Sequence, residues 1–314
     1  MPVSPGQFSV VDVSTWSLDR IETIGADEKY WLFEPDSGRR WLFKPNTVHA
    51  HRGKTWTEHE DYSEKIAGEL GVLLGVPCAE IELAQRGSKI GCVSLNLRPD
   101  RWELQTGAVL MDGLLDDYVP GNVLENKTRR GHSLENIRRA LAGYAPPPNA
   151  DLPQSFTAFD VFAGYVTFDA IIANRDRHDE NWAVMRPPQG QGTDTLAGSF
   201  DHARALGSSA QESKLARIVA LGSAGVEAWV TKGTAWRYEH EARQPIPTLV
   251  EMSRRALDLV APGVRTYWLD RVASLTHEDV TRVTARIPKM SEVVSTFVEQ
   301  VVITNRRRVL DDCG

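Results

Sequence analysis

Between Ile171 and Asp201 the chain concentrates ionisable side chains among segments that read as buried. Ile171-Ile172-Ala173-Asn174-Arg175-Asp176-Arg177-His178-Asp179-Glu180-Asn181-Trp182 is followed, after a turn, by Ser199-Phe200-Asp201-His202. Asp176 and Asn181 stand five positions apart behind an apolar helical run, and Asp201 follows twenty positions later behind Leu196 and Ala197. These residue types suit phosphoryl transfer, which needs a carboxylate to orient the attacking hydroxyl and oxygen ligands to hold Mg²⁺ against the phosphates. Asp176 can orient, and Asn181 and Asp201 can ligate. Mg²⁺ is a hard cation that keeps several waters, so one amide oxygen and one carboxylate are a sufficient contribution from protein. The same residues also cap helices and close turns, and an Asp-x4-Asn spacing alone does not separate the two uses.

The setting therefore matters. Phe156 to Ile172 carries Phe159, Phe162, Ala163, Val166 and Ala170 at helical spacing, so a helix delivers the chain into this loop. Trp182 to Met185 reads as a short strand, Pro187 to Thr195 as a turn and Thr195 to Phe200 as the returning strand, placing Asn181 and Asp201 at neighbouring ends of one hairpin. Towards the amino terminus, a polar loop bearing Gly25 runs into the aromatic strand ending at Phe33, and Trp41-Leu42-Phe43-Lys44 is its partner. Alternation puts Lys44 on the face of Leu42, with Trp41 and Phe43 on the other. A lysine among bulky apolar neighbours needs an anionic partner or must snorkel to water.

From Thr57 to Leu74, the residues Tyr62, Ile66, Leu70, Leu73 and Leu74 recur at helical spacing, with Thr57 and Glu60 patterned as a capping box. Gly75-Val76-Pro77 ends that helix, Ala79 to Leu83 alternates as a strand, and Lys89 to Leu95 is another, broken by Asn96-Leu97-Arg98-Pro99-Asp100. That break divides an amino-terminal lobe, residues 1–97, from a second lobe, residues 98–314. Thr106 to Tyr118 and Ser133 to Leu141 read as helices. His49 to Trp56 reads as a polar loop in which Thr55 could be a regulatory hydroxyl. His49, His51 and His59 share no fixed spacing and no acidic or cysteine complement, so they do not make a metal site. Arg306-Arg307-Arg308 reads as a solvated helix end.

At Asp176, Asn181 and Asp201 the chain resembles the protein-kinase-like superfamily and, within it, the HipA-like kinases; Asp-Arg-His-x-x-Asn is also similar to the catalytic loop of phosphoinositide kinases. The resemblance implies an α+β, two-lobed protein-kinase-like fold, with a small antiparallel-sheet lobe carrying one helix and a larger, mainly helical lobe. It gives Asp176 the orienting role, makes Asn181 and Asp201 the metal ligands, and implies ATP and Mg²⁺ as cofactors. It pairs Lys44 with the nucleotide phosphates and with a glutamate of the following helix. Counting back from Gly75-Val76-Pro77 selects Glu64, with Glu60 as the alternative register. Gly25 to Lys29 resembles the short loop over the phosphates, and Leu95 to Leu97 takes the hinge position beside adenine. His202 to Lys214 takes the place of the activation loop. Asp201 is followed by His202 and Ala203 where typical protein kinases have Phe-Gly, which weakens the expectation of their activation switch more than that of metal binding.

Composition narrows the field. At 314 residues the chain is long enough for two lobes with cores, and 41% hydrophobic with 25% charged residues is ordinary for a globular protein. No apolar stretch approaches the roughly 20 residues that span a bilayer, and the first residues carry no secretory pattern; a cytoplasmic location is expected. Cys78, Cys92 and Cys313 are scattered, without a Cys-x-x-Cys pair, and read as ordinary thiols. A net charge of -6 argues against direct binding of nucleic acid. The expected activity is phosphorylation of a protein serine or threonine, with a separate antitoxin-like partner in keeping with the HipA resemblance. A small-molecule or lipid kinase would use the same residues, and an inactive nucleotide-binding module is the non-enzymatic alternative, disfavoured by the intact Asp176, Asn181 and Asp201.

Overall fold

The computed structural model describes residues 6–22, 28–51, 53–121 and 127–314. Strands β1 (Val10–Asp12), β2 (Ser17–Glu22), β3 (Lys29–Phe33), β4 (Arg40–Pro45), β5 (Val48–His51) and β6 (Lys54–Thr57) precede helix α1 (Glu60–Leu74) and strands β7 (Ile81–Arg86) and β8 (Lys89–Leu95). Then come β9 (Glu103–Thr106), α2 (Gly107–Leu114), α3 (Leu134–Ala140), α4 (Ala158–Ile171), β10 (Ala183–Arg186) and β11 (Thr195–Leu196). Helices α5 (Glu212–Ala220), α6 (Gly222–Val230), α7 (Leu249–Asp258), α8 (Pro262–Ser274), α9 (His277–Thr284) and α10 (Glu292–Cys313) complete the order. No helix among the described residues is long and apolar enough to cross a membrane.

Six strands form one sheet in the order β1-β7-β8-β4-β3-β2, antiparallel except for the parallel pair β1 and β7. Its outer face buries Trp16, Leu32, Trp41, Phe43 and Val93 as a separate small core, which is the alternation expected along β4. The inner face therefore presents Leu42 and Lys44. Lys44 pairs with Cys92 and Pro45 with Gly91, and β8 can approach this closely because Gly91 lacks a side chain: a Cβ there would lie 2.0 Å from the Lys44 carbonyl oxygen. The second lobe is built on α4, buried at every residue except Asp160 and opened by a capping box between Thr157 and Asp160. Helices α7 and α10 pack against it. The three-stranded sheet β11-β10-β9 lies beside it, with Trp182 fitted against Gly107, where a Cβ would sit 2.1 Å from the indole.

Several local expectations are corrected. Helix α1 starts at Glu60 with His59 at its N-cap, and no Thr57–Glu60 capping box forms. Glu60 instead accepts the Thr47 N–H at 2.7 Å, while Asn46 Oδ1 accepts the Asp61 N–H at 3.0 Å, so the end of β4 caps the helix from outside. The stretch expected as a loop over His49 to Trp56 is the β5–β6 hairpin, turned at Gly53 with φ 75°. There Thr55 is exposed, and His49 pairs with Glu58. Residues 103–106, partly assigned to a helix, form β9. The returning strand is cut to Thr195–Leu196, because Ser199 leaves the hairpin to bond with Pro77 and Ala79. The last residues of the His202–Lys214 stretch are helical, since α5 begins at Glu212. The arginine run lies inside α10 and is solvated only in part: Arg307 is exposed, while Arg306 donates to the carbonyls of Val272 and Ala273 at the end of α8, and Arg307 and Arg308 pair with Glu227.

Candidate active site

Lys44, at the end of β4, donates to Glu64 Oε1 at 2.7 Å and to Asp201 Oδ1 at 3.1 Å. Glu64 is fully buried. Its second oxygen accepts the backbone N–H of His202 at 3.0 Å, so one carboxylate ties β4, α1 and the segment after Asp201 together. Ser63 reinforces the tie by donating to the carbonyls of His202 and Ala205 at 2.6 and 3.0 Å. Between the two candidate glutamates the geometry therefore selects Glu64 for Lys44, while Glu60 faces Thr47 and Arg204. Asp201 adopts φ 59°, a left-handed conformation that aspartate tolerates better than most residues. Burial would raise its pKa, but Lys44 and then Lys29 overcome this and hold it below the ordinary carboxylate range. Burial likewise opposes the charge on Lys44, and Asp201 and Glu64 more than compensate, raising its pKa.

The loop after α4 is held from beneath by Arg177, whose guanidinium is fully buried. It makes two 2.8 Å bonds to the carboxylate of Asp169 on α4, donates to the Asn181 carbonyl at 2.7 Å and to the Phe200 carbonyl at 3.3 Å, and reaches Ser199 Oγ at 2.8 Å. One side chain thus spaces the segment containing Asn181 from the one leading to Asp201. His202 sits against it, and burial, then the Arg177 charge, push its pKa down to about 3, so it is neutral. The Asn181 side-chain N–H donates to the Asp176 carbonyl at 2.8 Å, which turns its Oδ1 away as a free acceptor. Asp176 itself pairs with Arg237.

Two adjoining cavities, of about 320 and 590 Å³, share Lys29, Lys44 and Asp201. Asp176, Arg204 and Arg237 line the smaller; Trp31, Leu42, Leu95, Leu97, Asn181 and Phe200 line part of the larger. An apolar chamber opening onto clustered cations and two free oxygen donors fits a nucleotide base, its phosphates and a hard cation. Leu95 offers only its side chain and not its N–H, which donates to the Glu80 carbonyl. Gly25 lies outside the described residues. The sequence reading missed Arg177 with Asp169, Arg237, and His132, which donates through Nδ1 to the Arg237 carbonyl. Arg177 stands inside the motif, yet nothing local marks it as buried; Arg237 and His132 carry no sequence signal at all.

Fold and arrangement together define a two-lobed protein-kinase-like fold, as the resemblance implied. A solved structure of similar fold is the Helicobacter pylori proinflammatory kinase CtkA, with TM-score 0.70, 15% identity and 97% of each chain covered. HipA of Shewanella oneidensis MR-1, solved with HipB and operator DNA, matches at TM-score 0.42 and 13% identity over 95% of this chain and 66% of that one. A MAP kinase from Leishmania major matches at 0.29 and 14%, over 94% and 80%. No protein-family model and no curated protein matches the chain.

Proposed function

We propose that this chain is an ATP- and Mg²⁺-dependent phosphotransferase of the HipA-like kind, acting on a serine or threonine hydroxyl of a protein substrate. The observation that carries this is the convergence of Lys44, Glu64, Asp201, Asp176 and Asn181, from four separate segments, on one cavity system. In this reading Lys44, aligned by Glu64, and Lys29 hold the phosphates by charge. Asn181 Oδ1 and Asp201 hold Mg²⁺, which when bound neutralises charge on the transferring phosphoryl group. Asp176 orients the acceptor hydroxyl and takes its proton as the new bond forms, a role expressed chiefly on the way to the transition state. Leu95 and Leu97 bound the apolar chamber that takes the base, and residues 1–97 and 98–314 are the two lobes that meet there. The proposed partners are the protein substrate and a separate antitoxin-like chain, in the cytoplasm.

The test is transfer of labelled phosphate from ATP to proteins of a cell lysate by the wild type and by Asp176→Asn, with a small-molecule and lipid panel alongside. Asp176→Asn should bind Mg²⁺-ATP as the wild type does yet transfer about 10² to 10⁴ times more slowly. A wild type that transfers nothing, or a variant that matches it, refutes the reading; transfer confined to the panel replaces the protein substrate with a smaller alcohol.

A further inference from the structure

The carboxylate of Asp176 is held by a residue sixty-one positions further along the chain. Arg237 Nε donates to Asp176 Oδ1 at 2.7 Å, and its Nη2 lies 2.6 Å from the same oxygen. Both bonds fall on Oδ1, which leaves Oδ2 without a described donor. Arg237 is itself held on two sides. Its guanidinium lies 3.9 Å from the centre of the Trp236 ring, with Arg129 4.9 Å from that ring as well. Its carbonyl accepts from His132 Nδ1 at 2.8 Å. His132 is buried, and its Nε2 accepts from Trp182 Nε1 at 3.1 Å. Trp182 follows Asn181, whose side chain donates to the Asp176 carbonyl at 2.8 Å. A closed circuit therefore runs from Asp176 through Arg237, His132 and Trp182 to Asn181 and back to Asp176. Burial pushes the His132 pKa down to about 4, so at neutral pH it is the uncharged tautomer with one donor and one acceptor that both ends of the circuit require.

We infer that Arg237 is a positioning residue for phosphoryl transfer, fixing Asp176 by Oδ1 so that Oδ2 faces the incoming hydroxyl. A carboxylate turns about a broad, two-fold torsion, and an unheld Asp176 would sample orientations in which neither oxygen is aligned. Pinning one oxygen removes that freedom before substrate arrives, which is where pre-organisation lowers a barrier. The inference rests on the reading of Asp176 as the orienting group. It extends that reading to a residue no local motif contains.

The experiment is a double-mutant cycle of Arg237→Met and Arg237→Lys, each made in the wild type and in Asp176→Asn. It measures kcat, the KM for ATP, Mg²⁺-ATP affinity by calorimetry, and thermal midpoint. Arg237→Met should lower kcat by about 10²-fold, the penalty of a misplaced reacting group, with ATP affinity unchanged within about twofold. Arg237→Lys should recover part of the loss, because an ammonium can still reach Oδ1 but cannot reproduce the planar fork stacked on Trp236. In the Asp176→Asn background, Arg237→Met should change kcat by less than about threefold, since a residue acting through Asp176 has nothing left to position. An equal loss in both backgrounds, or a fall in ATP affinity with kcat, would show that Arg237 acts elsewhere. A kcat that is unchanged or raised in Arg237→Met would make the pair a spectator or an inhibitory latch. Any of these from an active wild type overturns this inference alone, whereas an inactive wild type overturns the phosphotransferase reading beneath it.

Discussion

Removing the charge of Asp169 should destabilise the second lobe without removing any group that could touch substrate. Asp169 is the counter-ion of a buried guanidinium, and its charge more than offsets the cost that burial puts on the charge of Arg177. The other acceptors around Arg177, the Asn181 and Phe200 carbonyls and Ser199 Oγ, are neutral. Asp169→Asn keeps the shape, removes the charge and can turn an N–H towards another N–H. Breaking a buried pair from one side costs about 3–5 kcal/mol, a large share of the roughly 5–15 kcal/mol that holds a domain folded. At about 2–4 °C per kcal/mol for a lobe of this size, the midpoint should fall by roughly 6–20 °C. Urea unfolding followed by tryptophan fluorescence reads the free energy. The matching arm is Asp169→Leu with Arg177→Met, which removes both charges and should lie within about 2 kcal/mol of the wild type. That double variant should nevertheless lose turnover, because nothing would then bridge the carbonyls beside Asn181 and Asp201. A loss below about 1 kcal/mol in Asp169→Asn, or an equal loss in single and double variants, would refute the reasoning.

Lys44→Met should abolish turnover and, at pH 7, also destabilise the fold, since it leaves buried Glu64 and nearby Asp201 without their shared cation. Adding Glu64→Gln should restore stability but not activity, and thermal melts of the two variants that coincide would count against the pair. For pH, the depressed pKa of His132, about 4 against an ordinary 6.5, fixes the sign. Between these values the unfolded chain binds a proton that the folded chain refuses, so His132's contribution is complete above pH 6.5 and is lost as pH falls towards 4, up to about 3 kcal/mol. His202, depressed to about 3, acts in the same direction. Urea midpoints across that window should fall less steeply in His132→Gln, and an unchanged slope would contradict the burial argument.

The kinase-like fold was legible in the sequence because its evidence is short in range. Alternation in Trp41-Leu42-Phe43-Lys44 assigns two faces to one strand, and the helical run before Asn174 needs no distant partner to be recognised. Where a local pattern had two outlets, the nearer one was the wrong choice. Thr57 and Glu60 have capping-box spacing, yet Glu60 answers Thr47 and Asn46 caps the helix, because the end of β4 lies against its first turn. Thr195 to Phe200 alternates well enough for a long strand, but Ser199 finds better-placed partners at Pro77 and Ala79.

The residues that could do the chemistry were visible as types at a spacing; how they meet was not. Counting back along the helix favoured Glu64 but left Glu60 open as an alternative register, and only the packing of α1 against β4 and His202 decides between them. Arg177 looks in sequence like one more loop cation, and it becomes a buried bridge only when Asp169 and Ser199 close around it. Arg237 reaches Asp176 across sixty-one residues of chain. A backbone pattern reports a preference that each segment holds alone, and the amino-acid sequence determines it directly. An ion pair between distant segments has no local preference to report, because its partners attract strongly only after folding has removed the water between them.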